Sequence, residues 1–331
     1  MHDFRQIAGH EAIIKHLQNA VTAGKVSHAY IFHGEEGAGK KTLAAAFAKT
    51  LQCEAGQADP CNQCQSCLQA DTNNHPDIIR VTHEKASIGV DDIRDQVNSD
   101  ILVKPYSSPY KIYIIDSAEK LTEAAQNALL KTIEEPPEYA VILLLVSNIS
   151  AILPTILSRC VQINLQPVDK QLIKEYLMEQ HHIPDYMAEM AADYSGGNVG
   201  KAIKYASSEE FERTKEDVLH ILKYIDEMEL YEVISGLKTI TNDKAPIEDE
   251  IDLMILWFRD VLMFKATGDP NLLLYREELP FIKKQANTRG YENLENIISA
   301  MEKAKIRLKA NVNVDIAIEL MLLTIKENSN G

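Results

Sequence analysis

Two hydrophobic rhythms alternate along this chain. Ile13, Ile14, Leu17 and Val21 recur at the spacing of one helix face, which predicts a first helix closed by a turn at Gly24. Residues 29–33 form a short apolar run of strand type, and residues 40–51 are rich in strong helix formers. A second strand is expected over residues 77–81, then a helix over 90–103 with Ile93, Val97 and Ile101 on one side. Residues 111–116 and 139–146 read as buried strands. Between them a helix should run from an N-capping Thr122 to Glu135, where Pro136 and Pro137 stop it. Residues 161–165 supply the last strand. About five strands alternating with helices predict an α/β fold, a doubly wound parallel sheet.

Beyond Gln166 the pattern is entirely helical. Three short helices are expected over residues 169–180, 185–194 and 200–206, with a joint at 207–210. From Phe211 onward helices continue, among them 251–264 with the sole Trp257, a break at 268–270 and a final apolar helix over 310–325. Residues 326–331 should be a loose tail. The expected domains are therefore a nucleotide-binding-type core over 1–166, a small helical unit over 167–208 and an all-α domain over 209–331.

Composition narrows the class. The 331 residues are 45% hydrophobic and 25% charged, as in ordinary globular proteins. A net charge of −15 argues against a free-standing nucleic-acid binder, so any DNA contact should be local or shared with partners. The start of the chain, with His2, Asp3, Arg5 and Glu11, does not read as a secretory signal. The longest apolar run, residues 140–146, is too short to cross a membrane. A cytoplasmic protein with no membrane contact is expected.

Three groups of residues suggest chemistry. Gly34, Gly37, Gly39 and Lys40 lie between a strand and a helix start, as in a phosphate-binding loop, where backbone N–H groups cradle phosphates and the Lys reaches the terminal ones. The next residue should carry a hydroxyl for Mg²⁺, but it is Lys41; Thr42 comes one position late, about 100° around the helix. Asp116 ends a buried strand, where a second motif of such sites holds Mg²⁺, yet Ser117 follows it in place of a water-orienting Glu. This pattern predicts a lost Mg²⁺ site and leaves ATP or ADP affinity open. Separately, Cys53, Cys61, Cys64 and Cys67 cluster at short spacings, which in a cytosolic chain points to one tetrahedral, structural Zn²⁺.

The loop Gly34-x-x-Gly37-x-Gly39-Lys40, the cysteine module, Ala128-Leu-Leu-Lys-Thr-Ile-Glu-Glu-Pro-Pro137 and Leu157-Ser-Arg-Cys160 together resemble the bacterial DNA polymerase III clamp-loader subunits of the AAA+ class. The resemblance is strong over about the first two thirds of the chain. It implies that residues 167–208 are the AAA+ lid and 209–331 a helical collar through which subunits form a ring. Two subunit types share the motifs: the ATP-hydrolysing gamma/tau type and the delta-prime type, which has a degraded ATP site. The resemblance makes Arg159 a finger directed in trans at a neighbour's ATP, and Gly200 stands where ATP-using relatives place a lid Arg. Lys41, Ser117 and Gly200 together favour the delta-prime type. The implied role is a subunit of the polymerase III holoenzyme without ATPase activity of its own. Its implied partners are gamma/tau and delta subunits, with the sliding clamp and primed DNA reached through the complex. An active gamma/tau-like ATPase is the alternative.

Overall fold

A computed structural model of the chain describes residues 3–208, 211–229, 231–235, 247–310 and 312–329. Its centre is a parallel sheet of five strands, β1 (Ala29–His33), β2 (Ile78–Arg80), β3 (Lys111–Ile115), β4 (Ala140–Val146) and β5 (Val161–Asn164), in the order β2-β3-β4-β1-β5. β4 is the middle strand and β1 lies beside it, with Tyr30 next to Leu143 of β4 on one side and Val161 of the edge strand β5 on the other. Successive side chains in a strand point to opposite faces, so strands that are apolar throughout need cover on both sides. On one face Tyr30, Phe32, Leu143 and Leu145 pack with Leu17 of α1 (Glu11–Thr22) and with Leu43 and Phe47 of α2 (Lys40–Gln52). On the other, Ile31, Tyr113, Ile142 and Leu144 pack with Ile93 of α4 (Val90–Ile93), Leu129 and Ile133 of α5 (Glu123–Glu134) and Ile156 of α6 (Pro154–Leu157). A short helix α3 (Gln65–Asp71) follows the cysteines.

The single helix expected over residues 90–103 is broken. After α4 the chain takes a π turn at Arg94–Asn98 and a 3-10 turn at Asp100–Leu102. Side chains there compete for the backbone and for neighbouring helices. Ser99 bonds the Arg94 carbonyl through both its N–H (2.9 Å) and its hydroxyl (2.8 Å). Asn98 donates to the Ala128 carbonyl of α5 at 3.1 Å and accepts from Thr132 at 2.9 Å. Ile93, Val97 and Ile101 still reach the core, so the apolar stripe is satisfied without a continuous helix.

Residues 1–206 form one compact unit, which takes in α7 (Lys170–His181), α8 (Asp185–Tyr194) and α9 (Val199–Ala206) together with the sheet. Residues 207–331 form a second. Within it, α10 (Phe211–Tyr224), α11 (Ile247–Thr267), α12 (Leu279–Thr288), α13 (Tyr291–Lys309) and α14 (Val314–Glu327) are helical. Buried Trp257 of α11 donates to Gln285 of α12 at 2.9 Å, and Gln285 donates in turn to the Leu222 carbonyl of α10 at 2.7 Å. The final helix continues to Glu327, and the Ser329 hydroxyl bonds the Ile325 carbonyl at 3.1 Å, so the chain through Ser329 is ordered and not a loose tail. Residues 330 and 331 lie outside the described residues, as do 209 and 210 of the expected joint.

Candidate functional site

Helix α2 carries a candidate site at each end. At its start, Gly37 (φ 84°) and Gly39 (φ 96°) hold left-handed conformations that side chains disfavour, and Gly34 leaves β1 against the Val146 carbonyl. The Lys40 ammonium is buried and turned back on its own loop. It donates to the carbonyls of Gly34 (2.5 Å) and Glu35 (2.7 Å) and to the Ser147 hydroxyl (3.0 Å), so three protons meet three oxygens. Lys41 Nζ lies 2.7 Å from Asp116 Oδ2, just beyond β3. Thr42 is half-buried on the next step of the helix. Ser117 takes a left-handed φ of 51°, and Glu119 accepts the Ser147 N–H at 3.1 Å.

The residues over this loop come from the same chain. His10 Nε2 meets the Ala38 carbonyl at 3.3 Å; burial pushes the His10 pKa down, so the neutral ring donates from Nε2. Beyond β5, Val168 N–H bonds the Gly197 carbonyl at 2.8 Å. At the start of α9, Asn198 Nδ2 donates to the Glu36 carbonyl (2.7 Å), and Gly200 N–H donates to the Gly37 carbonyl (2.9 Å). As a Mg²⁺ site the set does not fit. Asp116 already faces a cation within the chain, and no hydroxyl stands at position 41.

At the other end of α2 four thiols converge. The Sγ atoms of Cys53, Cys61, Cys64 and Cys67 all lie within 4.8 Å of one another, with Cys61 and Cys67 at 4.0 Å. Tetrahedral Zn–S bonds of about 2.3 Å place sulfurs about 3.8 Å apart, so this donor set fits one Zn²⁺. Backbone N–H groups already aim at the sulfurs: Cys61 N to Cys53 (3.3 Å), Cys64 N to Cys61 (3.4 Å) and Cys67 N to Cys64 (3.4 Å). Such donors favour thiolate, and the Gln63 and Cys64 N–H groups draw the Cys61 thiol down to about 6. A four-thiolate shell is closed, so Zn²⁺ there would staple the segment and offer no position to a substrate. Ser66 ties the module to α2 by donating to the Gln52 carbonyl at 2.6 Å, and buried Lys49 pairs with Asp71 at 2.7 Å.

Arg159 lies between α6 and β5, on the surface. Its guanidinium is 3.0 Å from Glu134 Oε1 and bonds the Thr155 carbonyl at 2.9 Å. Both members of the ion pair are exposed, at 40% and 46% of the side chain, so water screens the pair. Cys160 turns inward against the core, and burial pushes its thiol up to about 12.

Residues 9–169 match a family described as "DNA polymerase III, delta subunit". DNA polymerase III subunit delta-prime of Bacillus subtilis (strain 168) is 30% identical over 318 residues, which is 95% of this chain and 95% of that protein. The chain belongs to the DNA polymerase III delta-prime family. The tau subunit of the same organism is 32% identical over 285 residues, 80% of this chain and 50% of tau. The family relationship therefore reaches tau through a shared part, whereas the delta-prime relative is matched through nearly its whole length. Among solved structures, a DNA polymerase III gamma subunit-related protein of Thermotoga maritima aligns with 96% of this chain and 99% of its own, at 20% identity and a TM-score of 0.44.

In this delta-prime family member Lys40, Lys41, Asp116 and the three loop glycines come together at one edge of the sheet, while the thiols and Arg159 lie at separate places. Sequence reasoning did not find the partners. Ser147 under Lys40, Glu134 beside Arg159 and Asn198 over Glu36 are distant in sequence from what they touch. Glu134 lies inside the Ala128–Pro137 motif, and that is the signal the sequence offers for it. Among the described residues no helix is long and apolar enough to cross a membrane.

Proposed function

We propose that this chain is the delta-prime-type subunit of a bacterial clamp loader, that it does not hydrolyse ATP, and that it presents Arg159 to ATP held by a neighbouring gamma/tau subunit. The observation that carries this reading is the Lys41–Asp116 ion pair at 2.7 Å. An ATPase of this design needs Asp116 for a metal and a hydroxyl at position 41, and phosphoryl transfer depends on that metal to neutralise developing charge. Arg159 is suited to act elsewhere. It is exposed, and its hold on Glu134 is an interaction of the class worth about 0–1 kcal/mol, which a phosphate can displace.

The remaining parts have structural roles in this account. Zn²⁺ held by Cys53, Cys61, Cys64 and Cys67 fixes the segment after α2. The 207–331 unit acts as the collar: Ile316, Leu320 and Leu323 recur at helical spacing on α14 with 53%, 44% and 41% of their surface exposed, an apolar stripe suited to gamma/tau or delta collars. The sliding clamp and primed DNA are reached through the assembly.

Substitution of Arg159 in a reconstituted loader tests the reading. Arg159→Ala should leave the chain folded and able to assemble, because the side chain is exposed. A finger supplied in trans is worth about 10³ to 10⁵ in rate at its one site, so the loader should lose that site's share of DNA- and clamp-stimulated ATPase. Unchanged ATPase and clamp loading in a correctly assembled mutant complex would remove Arg159 from the mechanism.

A further inference from the structure

A closed four-thiolate site offers nothing to a substrate, yet the residues beside the thiols in sequence are bonded into one edge of the sheet. Gln52 precedes Cys53, and Ser66 precedes Cys67. Gln52 Nε2 donates to the Tyr110 carbonyl at 2.7 Å and to the Asp77 carbonyl at 3.2 Å. The Ser66 hydroxyl donates to the Gln52 carbonyl at 2.6 Å, which leaves its oxygen to accept from His75 Nε2 at 2.9 Å. The other ring nitrogen fixes that role: Nδ1 accepts the Asp77 N–H at 3.1 Å, so the ring proton sits on Nε2. Burial pushes the His75 pKa down and keeps the ring neutral. Asp77 continues the chain of bonds. Its buried carboxylate accepts the backbone N–H groups of Tyr106 at 2.6 Å and Ser107 at 3.0 Å.

Residues 103–110, which enter β3, form neither helix nor strand. At the start of this loop and within it, Leu102, Val103 and Tyr106 have 77%, 60% and 87% of their surface exposed. Apolar packing of these side chains therefore does not hold the loop. Buried polar groups cost stability unless each finds a partner, so a satisfied network specifies one backbone arrangement where packing does not. The network depends in turn on the thiols. Helix α3 is seven residues long, and Cys64 Sγ closes its first turn by accepting the Cys67 N–H. A helix this short does not hold itself, so a metal that fixes Cys64 and Cys67 fixes Ser66 between them.

We propose that Ser66, His75 and Asp77 are positioning residues that carry the order imposed by metal at the thiols into residues 102–110, so that Leu102, Val103 and Tyr106 are held in one arrangement only while the module is loaded. The inference goes beyond the function proposed above and rests on its zinc reading alone. It gives the closed metal site a consequence at a distance, a surface loop whose shape depends on the metal. All strand pairs are parallel, so this loop, which enters β3, lies at the edge opposite the phosphate loop, which leaves β1.

Amide hydrogen exchange on the full chain, with zinc content measured on the same samples, tests the relay. In the zinc-loaded chain the Tyr106 and Ser107 amides should exchange slowly although the loop is at the surface. Chelation should release the zinc and speed both amides by about tenfold or more, while residues 29–33 and 140–146 of the sheet stay protected. Ser66→Ala should keep about one zinc per chain and still speed the same amides by about tenfold, because it strands the His75 Nε2–H. Asp77→Asn keeps the shape but leaves one acceptor oxygen for two N–H groups; it should act in the same direction and serves if Ser66→Ala does not fold. Chelated protein whose Tyr106 and Ser107 amides exchange as before would overturn the proposal and leave the zinc reading standing. Two zinc-loaded variants that exchange like the wild type would do the same, as would a loss of protection that spreads equally to residues 29–33 and 140–146. Purified chain without zinc would end the zinc reading, and the proposal with it.

Discussion

The two ends of helix α2 were both legible as ligand sites, and the structure treats them in opposite ways. At the C-terminal end four sulfurs face one another, and the groups bonded to them are backbone N–H donors that leave the inward lone pairs for a metal. At the N-terminal end the ammonium of Lys40, the carboxylate of Asp116 and the loop carbonyls of Glu36 and Gly37 each have a partner inside the chain. A ligand framework remains a ligand site only if its atoms are still short of partners after folding. By that criterion the thiol end is open to a cation, whereas at the phosphate end the groups on the metal side, Lys41 and Asp116, are engaged with each other.

Removing the metal should have the largest effect. Purified chain should contain about one zinc per molecule, since structural Zn²⁺ in small folds is worth about 10–16 kcal/mol of binding free energy near neutral pH. Chelation, or Cys67→Ser, should therefore unfold the segment after α2 and expose the thiols to alkylation. Zinc-free protein whose thiols react freely in the folded state would erase the contrast between the two ends. Gly200→Ala belongs in the middle of the scale, at about 1–3 kcal/mol, because it overpacks a backbone contact. The smallest effect should come from Lys41→Ser. Both members of its ion pair with Asp116 are exposed, at 71% and 41% of the side chain, so stability should change by about 0–1 kcal/mol. A much larger loss would mean that Lys41 holds Asp116 more tightly than a screened surface cation does.

The sheet was legible because β1, β3 and β4 are nearly continuous apolar runs, and β1 begins and ends where periodicity placed it, at Ala29 and His33. The helix from Thr122 was legible for a different reason: its cap is chemical, with Thr122 Oγ1 accepting the Ala125 N–H at 3.2 Å. Periodicity failed over residues 90–103, since Ile93, Val97 and Ile101 keep a helical stripe while Asn98 and Ser99 divert the backbone. Site residues were legible as types and spacings, but their partners were not. The phosphate-loop pattern assigns position 41 and Asp116 to one metal but not their direct pairing, which the end of β3, two places from β1 in the sheet, brings to 2.7 Å. Likewise Gly200 read as the loss of an arginine, and only the folded chain, in which a Cβ at position 200 would fall 2.7 Å from Gly37 Cα, shows what its bareness permits.

Steady-state ATP hydrolysis by the purified, zinc-loaded chain in the presence of Mg²⁺ tests most directly whether the phosphate end of α2 is closed to chemistry. With Asp116 paired to Lys41 and no hydroxyl at position 41 to hold a metal, turnover should not exceed the buffer background, with or without primed DNA and clamp. Turnover above that background that is abolished by Lys40→Ala would place the reaction at this loop and contradict the account.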